Sequence, residues 1–121
     1  NSIVNAGGDM CVIGKKASQA WNIAIRHPDK KQLLGSVRLH SGECIMTSGG
    51  YERFHKYQGK KYAHIINPQT GYPADDVLSI SVIDKNGALA DASATALSIT
   101  SKENWQTMKM RLGVYAMIGL D

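Results

Sequence analysis

Apolar and polar residues alternate in short runs through most of this chain. Asp9-Met-Cys-Val-Ile-Gly14 reads as a strand closed by a glycine. Trp21-Asn-Ile-Ala-Ile-Arg26 alternates with period two and stops at His27-Pro28-Asp29, a turn signal. Residues 35–47 alternate over a longer stretch through Val37, Leu39, Cys44, Ile45 and Met46. Within it Ser41-Gly42-Glu43 is placed for an internal turn, and Ser48-Gly49-Gly50 ends it. Residues 51–66 read as a hairpin about Gln58-Gly59-Lys60. Asn67-Pro-Gln-Thr-Gly-Tyr-Pro73 holds two prolines and a glycine, so it is expected to be a shaped loop. Val77-Leu-Ser-Ile-Ser-Val-Ile83 is the most regular strand pattern in the chain.

Past this strand the period changes. Asp84-Lys-Asn-Gly87 is a turn, and residues 88–99 are alanine-rich and helix-favouring. A second helix is expected over roughly 102–112, with Trp105, Met108 and Leu112 on one side, and an apolar segment from Val114 to Ile118 follows. Strands first and helices last imply an α+β fold, a mixed or antiparallel sheet with C-terminal helices, with one sheet as the core. Residues 1–121 read as a single domain without internal repeats or an obvious linker.

Composition narrows the function classes. Fourteen basic and ten acidic residues give a net charge of +4, and the lysines are spread apart from the pairs at 15–16, 30–31 and 60–61. A nucleic-acid surface needs a denser patch or a recognisable module, so no nucleic-acid partner is expected. No run of eighteen apolar residues exists. The first residues, Asn1-Ser-Ile-Val-Asn5, include no Met and no basic-then-apolar pattern, as expected of a mature form or an excised piece. Cys11 and Cys44 sit in strand-like runs. They read first as buried small hydrophobes, with a disulfide between neighbouring strands as the alternative.

Several residues offer chemistry. Asp91 and Thr95 are four apart on the expected helix and share a face, presenting the hard oxygen donors that magnesium accepts. An acid near a helix start and a threonine bonded to its own i−4 carbonyl account for the same pair without a metal. Gly7-Gly8-Asp9 allows unusual backbone angles and close approach of a ligand, although a plain tight turn needs the same glycines. Ser48-Gly49 repeats the idea at another strand end. His64 stands at a strand terminus beside the shaped loop, a fair position for ligand contact or proton transfer. Neither zinc-ligand spacing nor a nucleophile elbow is present.

Four blocks occur in order: Asn5-Ala-Gly-Gly-Asp9, Thr47-Ser-Gly-Gly-Tyr-Glu-Arg53, His64-Ile-Ile-Asn-Pro-Gln-Thr-Gly-Tyr-Pro73 and Leu89-Ala-Asp-Ala-Ser-Ala-Thr-Ala-Leu97. Together they resemble the C-terminal part of the FAD:protein FMN transferase family, the ApbE family of thiamine-biosynthesis lipoproteins. The resemblance implies an ApbE-like (T-fold-like) architecture lacking its N-terminal portion. It also implies magnesium-dependent transfer of FMN from FAD to a threonine hydroxyl of a target flavoprotein, a redox-complex subunit, with release of AMP. Asp91 and Thr95 match the family's magnesium ligands. Gly7, Gly8, Asp9, Ser48, Gly49, His64 and Thr70 match its FAD-cleft elements, with His64 also the candidate base and Thr70 and Gly71 shaping their loop. Asn67 replaces the family's usual Asp while keeping much of its hydrogen-bonding shape. Gln69 replaces a frequent Arg, and Gly50 stands where Asp or Asn is commoner. Family membership implies a place on the periplasmic face of the inner membrane, through an N-terminal lipid anchor absent from this chain. The alternatives are a magnesium-dependent FAD pyrophosphatase and a flavin-binding module left non-catalytic by truncation. A missing N-terminal segment or a second copy is the expected partner for the rest of the site.

Overall fold

The computed structural model describes residues 1–50, 54–74 and 76–121. The start of the expected hairpin and the end of the second motif, at 51–53, lie outside the described residues. Nine strands and two α-helices are present among those residues. A five-stranded antiparallel sheet runs in the order β1 (Ser2–Ala6), β2 (Asp9–Ile13), β5 (Cys44–Gly49), β8 (Ser79–Asp84), β9 (Ala116–Leu120). Two antiparallel ribbons stand apart from it in pairing: β3 (Trp21–Arg26) with β4 (Leu33–Leu39), and β6 (Phe54–Tyr57) with β7 (Lys60–Ala63). Helix α1 (Gly87–Ser98) follows β8; a 3-10 turn (Lys102–Asn104) and α2 (Trp105–Leu112) lead into β9.

The two faces of the sheet are read from its register. Met46 is opposite Val82, and Ile45 is opposite Ile83, so the alternation of strands sends one pair to each face. On the first face Ile80 and Val82 pack with Ala90, Ala94 and Leu97 of α1, and Met46, Trp105 and Met108 close the edges. On the second face Val12 and Ile45 pack with Ile23 and Leu39 of the β3–β4 ribbon. The single sheet expected as the core is therefore real, but it is covered by helices on one side and by a separate ribbon on the other.

Two expectations change. The chain begins with a strand, β1, that the sequence pattern does not reveal: all five of its residues are exposed, so no alternation marks it. The long alternating stretch is two strands, β4 and β5, parted by the turn at Ser41-Gly42-Glu43. That turn is pinned by Gly42 N–H donating to the Val12 carbonyl at 2.8 Å and by the Glu43 carboxylate accepting from His40 N–H at 2.7 Å.

Cys11 and Cys44 lie directly opposite each other in the β2–β5 pair, with Cα atoms 4.0 Å apart, and form a disulfide. This corrects the first reading of them as free buried hydrophobes. The cause is register: each cysteine does sit in a strand, and the pairing of those strands puts the two sulfurs on the same face. Gly87, the first residue of α1, packs onto this bridge, since a Cβ there would come within 2.9 Å of Met46 Cε and 3.2 Å of Cys44 Sγ.

The start of α1 is fixed by side chains. Asn86 is its N-cap and accepts from Leu89 N–H at 3.1 Å. Buried Asp84 accepts from Asn86 N–H at 2.8 Å and from Tyr115 N–H at 3.3 Å, tying the helix start to the segment before β9. At the far side, Trp105 Nε1–H donates to the Thr100 carbonyl at 2.9 Å, which locks the indole against Gly119 of β9. A Cβ at 119 would run into that ring. Gly119→Ala is expected to destabilise the fold by about 1–3 kcal/mol through overpacking, and urea unfolding followed by tryptophan fluorescence measures it.

Candidate functional site

A cleft of about 880 Å³ opens where β2 and β5 stop pairing. Their ladder partners are Met10↔Ile45 and Cys11↔Cys44. One step further on, Thr47 N–H donates to the Asp9 carboxylate at 3.0 Å, so a side chain spans the gap where a backbone bond would close it. Gly7 and Gly8 form the two-residue turn between β1 and β2, with φ of +67° and +110°. Both positive values suit a primed hairpin turn and are hard for other residues. Asn5 Oδ1 accepts from Gly8 N–H at 3.0 Å and stiffens the turn. Nothing lies within 4 Å of where a Cβ would stand on either glycine, so this wall of the cleft is bare backbone.

Helix α1 supplies the opposite wall. Asp91 and Thr95 both line the cleft, as the i, i+4 spacing requires. Thr95 Oγ1 is 3.1 Å from Ser48 Oγ at the end of β5, and it also lies 3.4 Å from the Asp91 carbonyl. The bond to the helix carbonyl, which the sequence allowed as an alternative, therefore coexists with a link to the second glycine element. A carboxylate and two hydroxyls thus line the same cleft as the Gly7–Gly8 turn. Below them, Thr47 Oγ1 and Ser81 Oγ are 2.7 Å apart and fix β5 to β8.

His64 lines the same cleft from the end of β7. The loop behind it is ordered by its own side chains. Asn67 Oδ1 accepts from Gln69 N–H at 2.9 Å, and Gly71 N–H donates to the Asn67 carbonyl at 2.8 Å. Asparagine at 67 thus makes the turn that a carboxylate oxygen makes in the same geometry. Thr70 is not brought to the cleft: it is absent from the lining, and its hydroxyl accepts from Tyr72 N–H at 3.2 Å. Its hydroxyl shapes the loop.

The residues missed by sequence reasoning come from β3. Asn22, Ile23, Ala24, Ile25 and Arg26 all line the cleft. Consecutive residues from both faces of a strand line a cavity when the strand offers its edge, and among the described residues β3 pairs only with β4. Alternation identifies Ile23 as a core residue but is silent about which edge is left free. Among the described lining residues Asp9 and Asp91 are acidic, and Arg26 is the one arginine or lysine. Among the described residues no three of His, Cys, Asp and Glu converge as a metal cluster.

Comparison with known proteins agrees with this geometry. The profile of the ApbE family matches residues 1–118. The chain is 42% identical over 118 residues to an FAD:protein FMN transferase of Rhodobacter capsulatus, covering 98% of this chain and 23% of the relative. It is 39% identical over 118 residues to an FAD:protein FMN transferase of Treponema pallidum, covering 85% of this chain and 32% of the relative. Among solved structures, the ApbE protein of Thermotoga maritima matches with a TM-score of 0.85 at 33% identity, over 98% of this chain and 39% of that one. The apo flavinyl transferase ApbE of Pseudomonas stutzeri matches with a TM-score of 0.71 at 31% identity, over 95% and 36%. The antiparallel sheet with C-terminal helices is the arrangement of these neighbours. The chain spans about a third or less of the length of these curated relatives.

Proposed function

Because the chain belongs to the ApbE family, we propose that it acts in the transfer of FMN from FAD to a threonine hydroxyl of an acceptor flavoprotein, with release of AMP. The observation that carries this reading is the meeting of Asp91, Thr95 and Ser48 with the bare Gly7–Gly8 turn in one cleft. In the reaction, the acceptor oxygen forms a bond to the FMN-side phosphorus. The bond from that phosphorus to the bridging oxygen breaks, AMP leaves with the bridging oxygen, and the threonine proton passes to a base.

The donor set fits magnesium, which takes hard oxygens and keeps the rest of its shell for water and substrate phosphates. Asp91 and Thr95 would hold it, with Ser48 supporting the Thr95 hydroxyl at 3.1 Å. When bound, the ion withdraws charge from the phosphates in flight. The glycine turn lets the dinucleotide lie against backbone, because no side chain stands in its way. Asp9 ties β2 to β5 at the cleft through Thr47 N–H. His64, at the cleft wall, is the candidate for taking the threonine proton. In this reading residues 1–121 are the C-terminal part of the transferase fold. A site outside the cytoplasm, on the periplasmic face of the inner membrane, belongs to the same reading. The Cys11–Cys44 disulfide supports it, because such bridges persist in oxidising compartments.

The test uses the full-length protein with FAD, magnesium and a peptide carrying an acceptor threonine. Covalent flavin fluorescence on the peptide together with AMP is the expected result. AMP with free FMN would identify an FAD pyrophosphatase instead, and flavin binding with neither product would identify a binding module.

A further inference from the structure

We infer that Arg26 is the protein's own phosphate clamp, a binding residue that holds an anionic oxygen of the dinucleotide from the β3 side of the cleft. The inference rests on the transferase reading and names a contact which that reading leaves unassigned.

The first argument is charge. Two carboxylates, Asp9 and Asp91, line the cleft, and a pyrophosphate brings further negative charge to it. Like charges in a partly desolvated space repel. One carboxylate oxygen of Asp9 already accepts from Thr47 N–H, which leaves its charge only partly offset. Among the described lining residues Arg26 is the one lysine or arginine. Among the described residues it has no ion-pair partner, since the salt bridges found join His40 to Glu43 and Lys102 to Asp121. A guanidinium on a residue that lines the cleft, not committed to a described carboxylate, is suited to phosphate, whose oxygens match its fork of donors.

The second argument is backbone geometry. The β3–β4 register runs evenly from Trp21↔Leu39 to Ile25↔Gly35 and then jumps, so that Arg26 faces Leu33. The irregularity falls between Ile25 and Arg26, leaving Leu34 as the extra residue. The extra residue belongs to β4, the strand that bends, so Arg26 stands opposite a bulge, a feature that concentrates near binding sites. The strand end is held immediately afterwards. His27 N–H donates to the Gln32 carbonyl at 3.0 Å, and His27 Nδ1 accepts from Asp29 N–H and Lys30 N–H at 3.1 and 3.2 Å. Arg26 therefore extends from a fixed backbone at the free edge of β3.

The experiment compares the full-length protein with its Arg26→Gln and Arg26→Lys variants. Binding of FAD, ADP and riboflavin is measured by calorimetry, and transfer kinetics by covalent labelling. Arg26→Gln is expected to weaken FAD and ADP about tenfold, the loss of one charge-assisted contact, and to leave riboflavin, which has no phosphate, unchanged. KM for FAD should rise while kcat holds, and Arg26→Lys should recover part of the loss. Equal weakening of riboflavin and FAD would assign Arg26 to the shape of the pocket and overturn the inference, as would unchanged FAD binding in Arg26→Gln. If the unsubstituted protein binds FAD but transfers no FMN, the transferase reading fails while the binding comparison still decides Arg26. If it binds no FAD, both fall.

Discussion

Replacing Asp91 with alanine is expected to lower flavin transfer by a hundredfold to a thousandfold. Losing the carboxylate that would hold the metal removes several kcal/mol of charge stabilisation from the transition state, which is about two to three decades in rate. The fold should survive. Asp91 is exposed on α1, accepts no hydrogen bond from a described residue through its side chain, and is replaced by a residue with better helix propensity. The helix start is set elsewhere, by Asn86 and Asp84. Measuring transfer against magnesium concentration, beside a thermal melt, separates the two effects. An Asp91→Ala protein with unchanged metal dependence would remove Asp91 from the site, whatever its melting temperature.

The second large effect concerns stability. The disulfide closes a loop with a sequence separation of 33 residues. Chain-entropy estimates give such a cross-link about 3–4 kcal/mol. The double substitution Cys11→Ala, Cys44→Ala is therefore expected to lower the melting temperature by roughly 10–20 °C for a domain of this size. The structure explains why the loss should also reach the site. β2 is joined to β5 by only two paired positions, and one of them is the disulfide. The β1–β2 hairpin that carries Gly7, Gly8 and Asp9 would then hang on the remaining pair and a few bonds around it, including Val12 N–H to the Glu43 carbonyl at 3.0 Å. The protein melted with reductant and the double variant should agree with each other, both below the oxidised protein melted without reductant. A melting temperature indifferent to all three conditions would show that the bridge constrains nothing.

What the sequence conveyed and what it withheld follow from the physics of each element. β8 and α1 were plain because their burial is regular: Ile80 and Val82 pack on Ala90, Ala94 and Leu97, and such packing imposes a period on the residues. β1 was hidden because an exposed strand needs no period. The pairing of Cys11 with Cys44 depends on register between strands 33 residues apart, which local pattern does not encode. The site divides in the same way. Asp91 with Thr95 was visible because both sit on one helix, and the glycine turn because its backbone angles demand glycine. The meeting of Thr95 with Ser48 depends on how α1 packs against β5, and the share of the cleft taken by Asn22 and Arg26 depends on where the β3–β4 ribbon lands on the sheet. Thr70 shows the converse: its motif is present, and its hydroxyl accepts a bond within its own turn.

The bond from Thr47 N–H to the Asp9 carboxylate has one more consequence. A rung made of two peptide groups has a single length, but a rung made with a carboxylate includes rotatable bonds and two equivalent oxygens. The terminal torsion of an aspartate is broad, so the acceptor can pass from one oxygen to the other without disturbing the covalently fastened pair below it. One paired position, Met10↔Ile45, separates that joint from the disulfide. The width of the cleft mouth becomes a side-chain variable, while the strands that define it keep their register.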